Sequence, residues 1–156
     1  MNDKNFKILE KQDEDVQKFR SYLSRGKEYD FVLLFNSRNI RRKSIPDTIL
    51  AWKLFLDQLP KEKAEKCLLV LHTEPVSDAG TDLPAVVEYF FPENDTNVVI
   101  SSEKLPTEQM NLLYNSVDGV VLLSSAEGWG LSLSLIHISE PTRRTPISYA
   151  VFCLKK

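Results

Sequence analysis

The stretch FVLLF, Phe31–Phe35, is a run of apolar residues with polar residues on both sides. A continuous apolar run of this length is typical of a β-strand that is buried on both faces. Three similar runs follow along the chain: CLLVLH at Cys67–His72, NVVIS at Asn97–Ser101, and GVVLLS from Gly119. Strands buried on both faces belong in a parallel sheet that is covered by helices, so Phe31–Phe35 predicts the opening strand of such a sheet.

Helical patterns lie before, between and after these runs. Ser44 is followed three residues later by Asp47, a capping-box-like start that places Pro46 in the first turn of a helix. The predicted helices are Asp13–Arg25, Ser44 to about Gln58, Asp82–Phe91 and Thr107–Ser116. The residues predicted to form their apolar faces are Val16, Phe19, Tyr22 and Leu23, then Ile49, Ala51, Trp52, Phe55 and Leu56, and finally Met110, Leu113, Tyr114 and Val117.

The alternation of strands and helices predicts an α/β fold, with a Rossmann-like parallel sheet, flanking helices and right-handed crossovers. In such folds ligands bind beyond the carboxyl ends of the strands, and the loops after the first and fourth strands contain the most reactive side chains. We therefore look for a functional site in these two loops.

Composition limits the classes of partner. The chain has 156 residues, 42% hydrophobic and 27% charged, which predicts one soluble domain or part of one. A net charge of −2 gives no basic surface for a nucleic acid, so none is expected as a partner. Two cysteines and two histidines without metal-ligand spacing predict no structural zinc and no disulfide framework. Without a signal sequence or a run of about 18 apolar residues, a cytoplasmic location is predicted.

The loop after the first strand reads NSRNIRRK and contains Arg38 and Lys43. Two cations five residues apart can converge on one diphosphate, the arginine as a planar fork and the lysine as a mobile point charge. An isolated basic turn of this kind is more often simply solvated. On its own this loop is a weak signal.

The loop after the fourth strand reads SSAEGWG, Ser124–Gly130, and is expected to precede a helix. Gly128 and Gly130 permit close approach of backbone N–H groups, which together with a helix amino end suit a pyrophosphate. Glu127 can accept hydrogen bonds from hydroxyl groups, and Ser124 can donate to a phosphate oxygen. The alternative is a tight turn in which Trp129 is only packed.

The combination of these features resembles the large retaining glycosyltransferase family called group 1. The resemblance rests on R-x4-K after the first strand, N-V-x-[IF] in the third, L-Y in the last helix, and D-G-V-V-L-L-S-x-x-E-G-W-G-L from Asp118 to Leu131. It implies that residues 31–132 are part of the carboxy-terminal, nucleotide-sugar-binding domain of a two-domain GT-B enzyme. The amino-terminal domain of that enzyme would be missing from this chain, which would make the chain inactive alone.

The resemblance also implies roles for individual residues. Arg38 and Lys43 would stabilise the diphosphate and the leaving nucleotide, and Glu127 would contact hydroxyls of the transferred sugar. The residues implied to bind the donor are Ser124, Gly128, Trp129, Gly130 and Leu131. The donor substrate would be a nucleoside-diphosphate sugar, and the reaction would need no cofactor and no metal. The acceptor would be a glycan, a lipid or a small molecule. The intact enzyme could then lie at a membrane surface.

The chain departs from the family pattern after Ser132. The family has a second glutamate eight positions after Glu127, where this chain has Leu135. The segment LSLIHISEPTRRTPISYAVFCLKK, from Leu133 to Lys156, resembles a sequencing-library adapter translated in frame, with two adapter blocks and a matching gap between them. We therefore expect residues 133–156 to be a non-native tail, although its β-prone end, Tyr149–Leu154, is also compatible with a real strand.

The sequence thus predicts three parts: a linker with a short amphipathic helix at 1–30, a partial Rossmann-like domain at 31–132, and the tail. Two other interpretations remain open. The chain could be a non-catalytic nucleotide-binding or protein-interaction module, including a receiver-like domain, although Asn36 and Arg38 stand where a receiver needs acidic residues. It could also be a degenerate glycosyltransferase subunit that has lost essential groups.

Overall fold

The computed structural model describes residues 6–92 and 97–125, together with the backbone of residues 151–154. Five strands form one sheet in the order β3-β2-β1-β4-β5. Their bounds are Phe31–Asn36 for β1, Cys67–His72 for β2, Val98–Ser101 for β3, Gly119–Leu122 for β4 and Val151–Leu154 for β5. The first four strands are parallel, and each lies within one residue of its predicted start. The predicted α/β, Rossmann-like fold is confirmed.

The fifth strand departs from the purely parallel sheet that was predicted. It pairs antiparallel with β4, in the register Gly119 with Leu154 to Leu122 with Val151. Within the β-prone end of the last segment, Val151–Leu154 is therefore a strand. An antiparallel edge on an otherwise parallel sheet is common in α/β folds, because an outer strand needs no crossover helix on its far side.

The helices lie close to their predicted positions. Their bounds are Glu14–Leu23 for α1, Ile45–Asp57 for α2, Lys61–Ala64 for α3, Leu83–Phe90 for α4 and Thr107–Asn115 for α5, with a 3₁₀ turn at Arg41–Lys43 before α2. Asp13 and Asp82 cap α1 and α4, where each side chain accepts a hydrogen bond from a backbone N–H of the first turn. Only the one-turn helix α3 was not predicted as a helix, since its charged residues have no apolar face.

The helices form two layers around the sheet. Helix α2 contacts α4, and α1 contacts α5, as expected when right-handed crossovers run in opposite directions from the central strand β1. The chain moves outward from β1 to β2 and β3, and then returns to β4 on the other side of β1. The carboxyl ends of β1 and β4 therefore flank the topological switch point, where ligands bind in sheets of this kind.

The core lies where β1 and β2 cross the middle of the sheet. Leu34, Phe35 and the leucines of β2 are fully buried, and Trp52 of α2 donates its indole N–H to the Asn97 carbonyl at 3.1 Å. Most predicted core positions are confirmed. Two were wrong, because their side chains are exposed at the edges of the helical faces: Tyr22 and Ala51. Phe55 is also exposed, but its ring packs against Trp52 and Phe31.

The start of α2 differs in detail from its prediction. The helix begins at Ile45 with Pro46 in its first turn, as predicted, but the predicted capping box at Ser44 was wrong. Ser44 has a φ of 47° and a ψ of 45°, a left-handed conformation in which its side chain makes no capping hydrogen bond. A capping serine needs an extended backbone to reach the N–H groups of the first turn.

Candidate functional site

The candidate site lies at the topological switch point, where the loops after β1 and β4 meet. The carbonyl oxygen of Arg42 accepts a hydrogen bond from the Ser124 hydroxyl at 3.0 Å. The same oxygen accepts a second one from the backbone N–H of Ser125, also at 3.0 Å. One carbonyl of the basic turn thus holds the beginning of the SSAEGWG segment, although the two loops are more than 80 residues apart in sequence.

The two predicted cations have different environments. Arg38 is exposed, whereas Lys43 is only 7% exposed although it belongs to a short 3₁₀ turn. Burying an ammonium group costs free energy unless it is compensated, and in a region of low dielectric its charge acts more strongly on a nearby anion. Lys43 is therefore a buried cation of the basic turn, and Arg38 is an exposed one.

Asn39 is the residue of this region that sequence reasoning missed. It is 2% exposed and is hydrogen-bonded to the backbone of the loop between β2 and α4. A buried amide needs several hydrogen-bond partners, but the sequence alone gives no sign that this asparagine is buried. Its contacts were not foreseeable, since they come from residues about 40 positions away.

The end of β1 is held from the opposite side by α5. The side-chain amide of Asn36 donates to the Tyr114 hydroxyl at 2.8 Å. Burial raises the pKa of Tyr114 to about 12, even though the hydrogen bond from Asn36 acts in the other direction. The phenol is therefore protonated at neutral pH and serves as a structural support for the last residue of β1.

The neighbouring strand ends contribute His72 and Thr73. The Nδ1 atom of His72 lies 3.3 Å from the Ser101 hydroxyl, and burial lowers the pKa of His72, so the ring is neutral at pH 7. The Thr73 hydroxyl is buried without a hydrogen-bond partner among the residues that are described. His72 is the last residue of β2 and is only partly buried.

Much of the second predicted loop lies outside the described residues. Ser124 is described, but five further predicted site residues are not: Glu127, Gly128, Trp129, Gly130 and Leu131. Leu135, where the family pattern has a glutamate, also lies outside them. The site is therefore defined by the basic turn, by Asn39 and by the start of the second loop.

Over residues 6–92 and 97–125, no three histidine, cysteine or acidic side chains come together as metal ligands. Within the same ranges, no helix combines the length and the apolar character needed to cross a membrane.

The fold and this crevice define a Rossmann-like α/β protein with a basic turn at its switch point. Neither a protein-family model nor a curated protein sequence matches the chain. Its function is therefore inferred from its own residues.

Proposed function

We propose that this chain carries the donor-binding side of a retaining glycosyltransferase, which binds a nucleoside-diphosphate sugar and transfers the sugar to an acceptor with retention of configuration. The observation that carries the proposal is the pair of hydrogen bonds from Ser124 and Ser125 to the Arg42 carbonyl. They hold together, at a switch point, the two loops that resemble the phosphate-binding loops of group 1 glycosyltransferases.

The charges of the crevice suit the chemistry of the proposed reaction. Breaking the bond between the sugar and the diphosphate develops positive charge on the sugar and additional negative charge on the leaving nucleotide. Fixed cations that are aimed at the leaving group stabilise the second charge without any reorganisation during the reaction. Lys43, which is buried in the turn, and Arg38, which is exposed, are the residues proposed for this role.

The proposed site uses side chains where other enzymes use a metal. A lysine and an arginine together supply two positive charges, which can offset most of the charge of a bound diphosphate. The proposal therefore includes no metal and no cofactor. The acceptor, whether glycan, lipid or small molecule, would be bound by an amino-terminal domain outside this chain.

A ligand-observed NMR experiment tests the proposal on the chain itself. Saturation-transfer difference spectra would be recorded with a panel of nucleotide sugars, such as UDP-glucose, GDP-mannose and ADP-glucose, and with the corresponding nucleosides. We expect a signal for at least one nucleotide sugar, with a Kd of roughly 1 mM, about 4 kcal/mol of binding free energy. The nucleosides should bind much more weakly, because they lack the diphosphate.

Three variants make the test specific to the site. Arg38→Ala and Lys43→Ala should each weaken binding about tenfold, the usual effect of losing a charge-assisted hydrogen bond. Lys63→Ala removes an exposed lysine from α3 and should leave binding unchanged. If no nucleotide sugar binds, or if the Lys63 variant behaves like the other two, the chain is better described as an interaction module.

A further inference from the structure

We propose that Asn39 is a positioning residue for Arg38, and that Gly80 is the glycine which this arrangement requires. The inference rests on the proposed function, since it assigns Asn39 a role in the same phosphate site. It goes further because it adds the loop between β2 and α4, Thr73–Asp82, as a support of that site. Neither residue was expected from the sequence to contribute to it.

The side chain of Asn39 pairs with the backbone of Thr81 as a neighbouring strand would. Its Oδ1 atom accepts a hydrogen bond from the Thr81 N–H at 3.1 Å, and its Nδ2 atom donates to the Thr81 carbonyl at 2.6 Å. Only a side-chain amide offers a donor and an acceptor in this arrangement. Asn39 is therefore specified by the contact, and an aspartate would place a charge against a carbonyl oxygen.

Two further hydrogen bonds extend the contact on both sides. The Nδ2 atom of Asn39 also donates to the Glu74 carbonyl at 3.1 Å, and the Arg41 N–H donates to the Ala79 carbonyl at 3.0 Å. The segment that contains Arg38 is thus tied to the beginning and to the end of the neighbouring loop. Because the side-chain amide of Asn39 is buried, breaking the contact would leave its donor and acceptor atoms without partners.

Gly80 lies directly against Asn39. A Cβ atom at position 80 would lie 2.7 Å from the Asn39 carbonyl carbon and closer still to both oxygens of Asn39. Two of these three atoms belong to the backbone, so moving them aside would require a shift of the main chain. Any side chain at position 80 would therefore separate the two loops, so Gly80 is needed for the space it leaves.

The consequence for Arg38 follows from its place in the chain. Asn36, two residues earlier, ends β1 and is held by Tyr114, and Asn39, the next residue, is held by Thr81. The backbone of Arg38 is fixed between these two anchors while its side chain remains exposed. A side chain that starts from a fixed backbone loses less entropy when it binds an anion, so the contact increases affinity for the diphosphate.

A double-mutant cycle on the 156-residue chain tests this role, with inorganic pyrophosphate as the probe and amide chemical shifts as the readout. We expect Asn39→Ala to weaken pyrophosphate binding about as much as Arg38→Ala, each about tenfold. If Asn39 acts through Arg38, the double variant binds hardly more weakly than either single variant. If the two substitutions act independently, their effects multiply to about a hundredfold loss of pyrophosphate affinity in the double variant, which would overturn the inference.

Matched variants separate positioning from loss of stability. Asn97 is also buried, and its Nδ2 atom donates to two carbonyls, those of Ala64 and Cys67, at the opposite edge of the sheet. Asn97→Ala should lower the melting temperature about as much as Asn39→Ala but leave the pyrophosphate Kd unchanged. Gly80→Ala, which displaces Asn39 without changing it, should reproduce the affinity loss.

The possible outcomes distinguish the inference from the proposed function. If pyrophosphate binding depends on Arg38 but is unchanged in Asn39→Ala and Gly80→Ala, only the positioning role of Asn39 is overturned. Equal losses in Asn39→Ala and Asn97→Ala overturn it as well, because they would reflect stability only. A wild-type chain that does not bind pyrophosphate overturns the proposed function and the inference together.

Discussion

The carbonyl oxygen of Arg42 accepts a hydrogen bond from the Ser124 hydroxyl at 3.0 Å, across the switch point between β1 and β4. This contact joins a turn that precedes α2 with a segment that follows the last parallel strand. It uses a backbone acceptor of the basic turn, the carbonyl oxygen of Arg42. The Ser124 hydroxyl, which the family resemblance assigns to a phosphate oxygen, donates here to the neighbouring loop and holds the two loops together.

The left-handed conformation of Ser44 predicts that a glycine would be better there. A non-glycine residue at a φ of 47° costs about 1 kcal/mol or more, and Ser44 makes no capping hydrogen bond that would offset this cost. Allowing for the greater flexibility of glycine in the unfolded chain, Ser44→Gly should raise the free energy of unfolding by about 0.5 kcal/mol. Urea denaturation measures the change. Ser102→Gly, at an exposed position where φ is not positive, should give no gain, and an equal gain there would refute the explanation.

The buried hydroxyl of Thr73 predicts that valine would be tolerated in its place. This hydroxyl has no hydrogen-bond partner among the described residues, whereas that of Thr48, also buried, donates to the Ser44 carbonyl at 3.1 Å. Thr73→Val should be neutral or stabilising by up to about 1 kcal/mol, and Thr48→Val should destabilise by about 1 kcal/mol. Thermal unfolding of the two variants compares them directly. Equal destabilisation would show that the Thr73 hydroxyl has a partner after all.

Asp118 gives the stability of the fold a defined pH dependence. Burial acts to raise the pKa of Asp118. This effect is outweighed by hydrogen bonds from Lys11, from the Val32 N–H and from Arg20, and by the charge of Arg20. The pKa of Asp118 therefore lies below its usual 3.8. A carboxyl group whose pKa is lower in the folded state than in the unfolded chain stabilises the fold at every pH above its pKa in the unfolded chain. This stabilisation is lost as the pH falls through the folded pKa.

The Asp118→Asn variant measures that contribution. It should be less stable than the wild type by about 2 kcal/mol at pH 7, because Arg20 loses its charged partner, and the difference should shrink as the pH falls below 4. Urea denaturation at a series of pH values gives both curves. Asp78→Asn, at an exposed loop position, is the control and should follow the wild type. A difference that stays constant down to pH 2 would contradict the assignment.

The fold was predictable from the sequence because its signals are local and repeated. The apolar run of β1 and its counterpart in β2 can only be buried on both faces, and this requires helices on both sides of the sheet. Predicted core positions were wrong where the local pattern competes with packing. Tyr22 has the spacing of a core residue, yet it is exposed and its hydroxyl donates to Glu103. The left-handed conformation of Ser44 could not be predicted, since a serine with an acidic residue three positions later, here Asp47, is typical of an ordinary helix cap.

The site was predictable only in part. Arg38, Lys43 and Ser124 stand out by residue type and by position after apolar strands. Asn39 does not, because its role depends on a contact with Thr81, which only the folded loops create. Long-range contacts between loops leave no periodic signal in the sequence.

The prediction that residues 133–156 are a translated adapter can be tested at the level of DNA. The source locus would be amplified and sequenced with reads long enough to pass the codon for Ser132. We expect an open frame that continues into a helix with a glutamate at position 135, in place of Leu135. A genomic LSLIHISEPTR would contradict the prediction, and β5 would then be a native edge strand of the sheet.

One titration tests most directly whether the loops after β1 and β4 form a single diphosphate site. UDP would be added to the isotopically labelled chain while the backbone amides of Arg41, Lys43 and Ser125 are followed. We expect all three to shift with one common Kd, and Lys43→Ala to weaken the response of Ser125 by the same factor, about tenfold, as that of the basic turn. If the amides respond with different affinities, or if Ser125 keeps its response without Lys43, the two loops do not form one site.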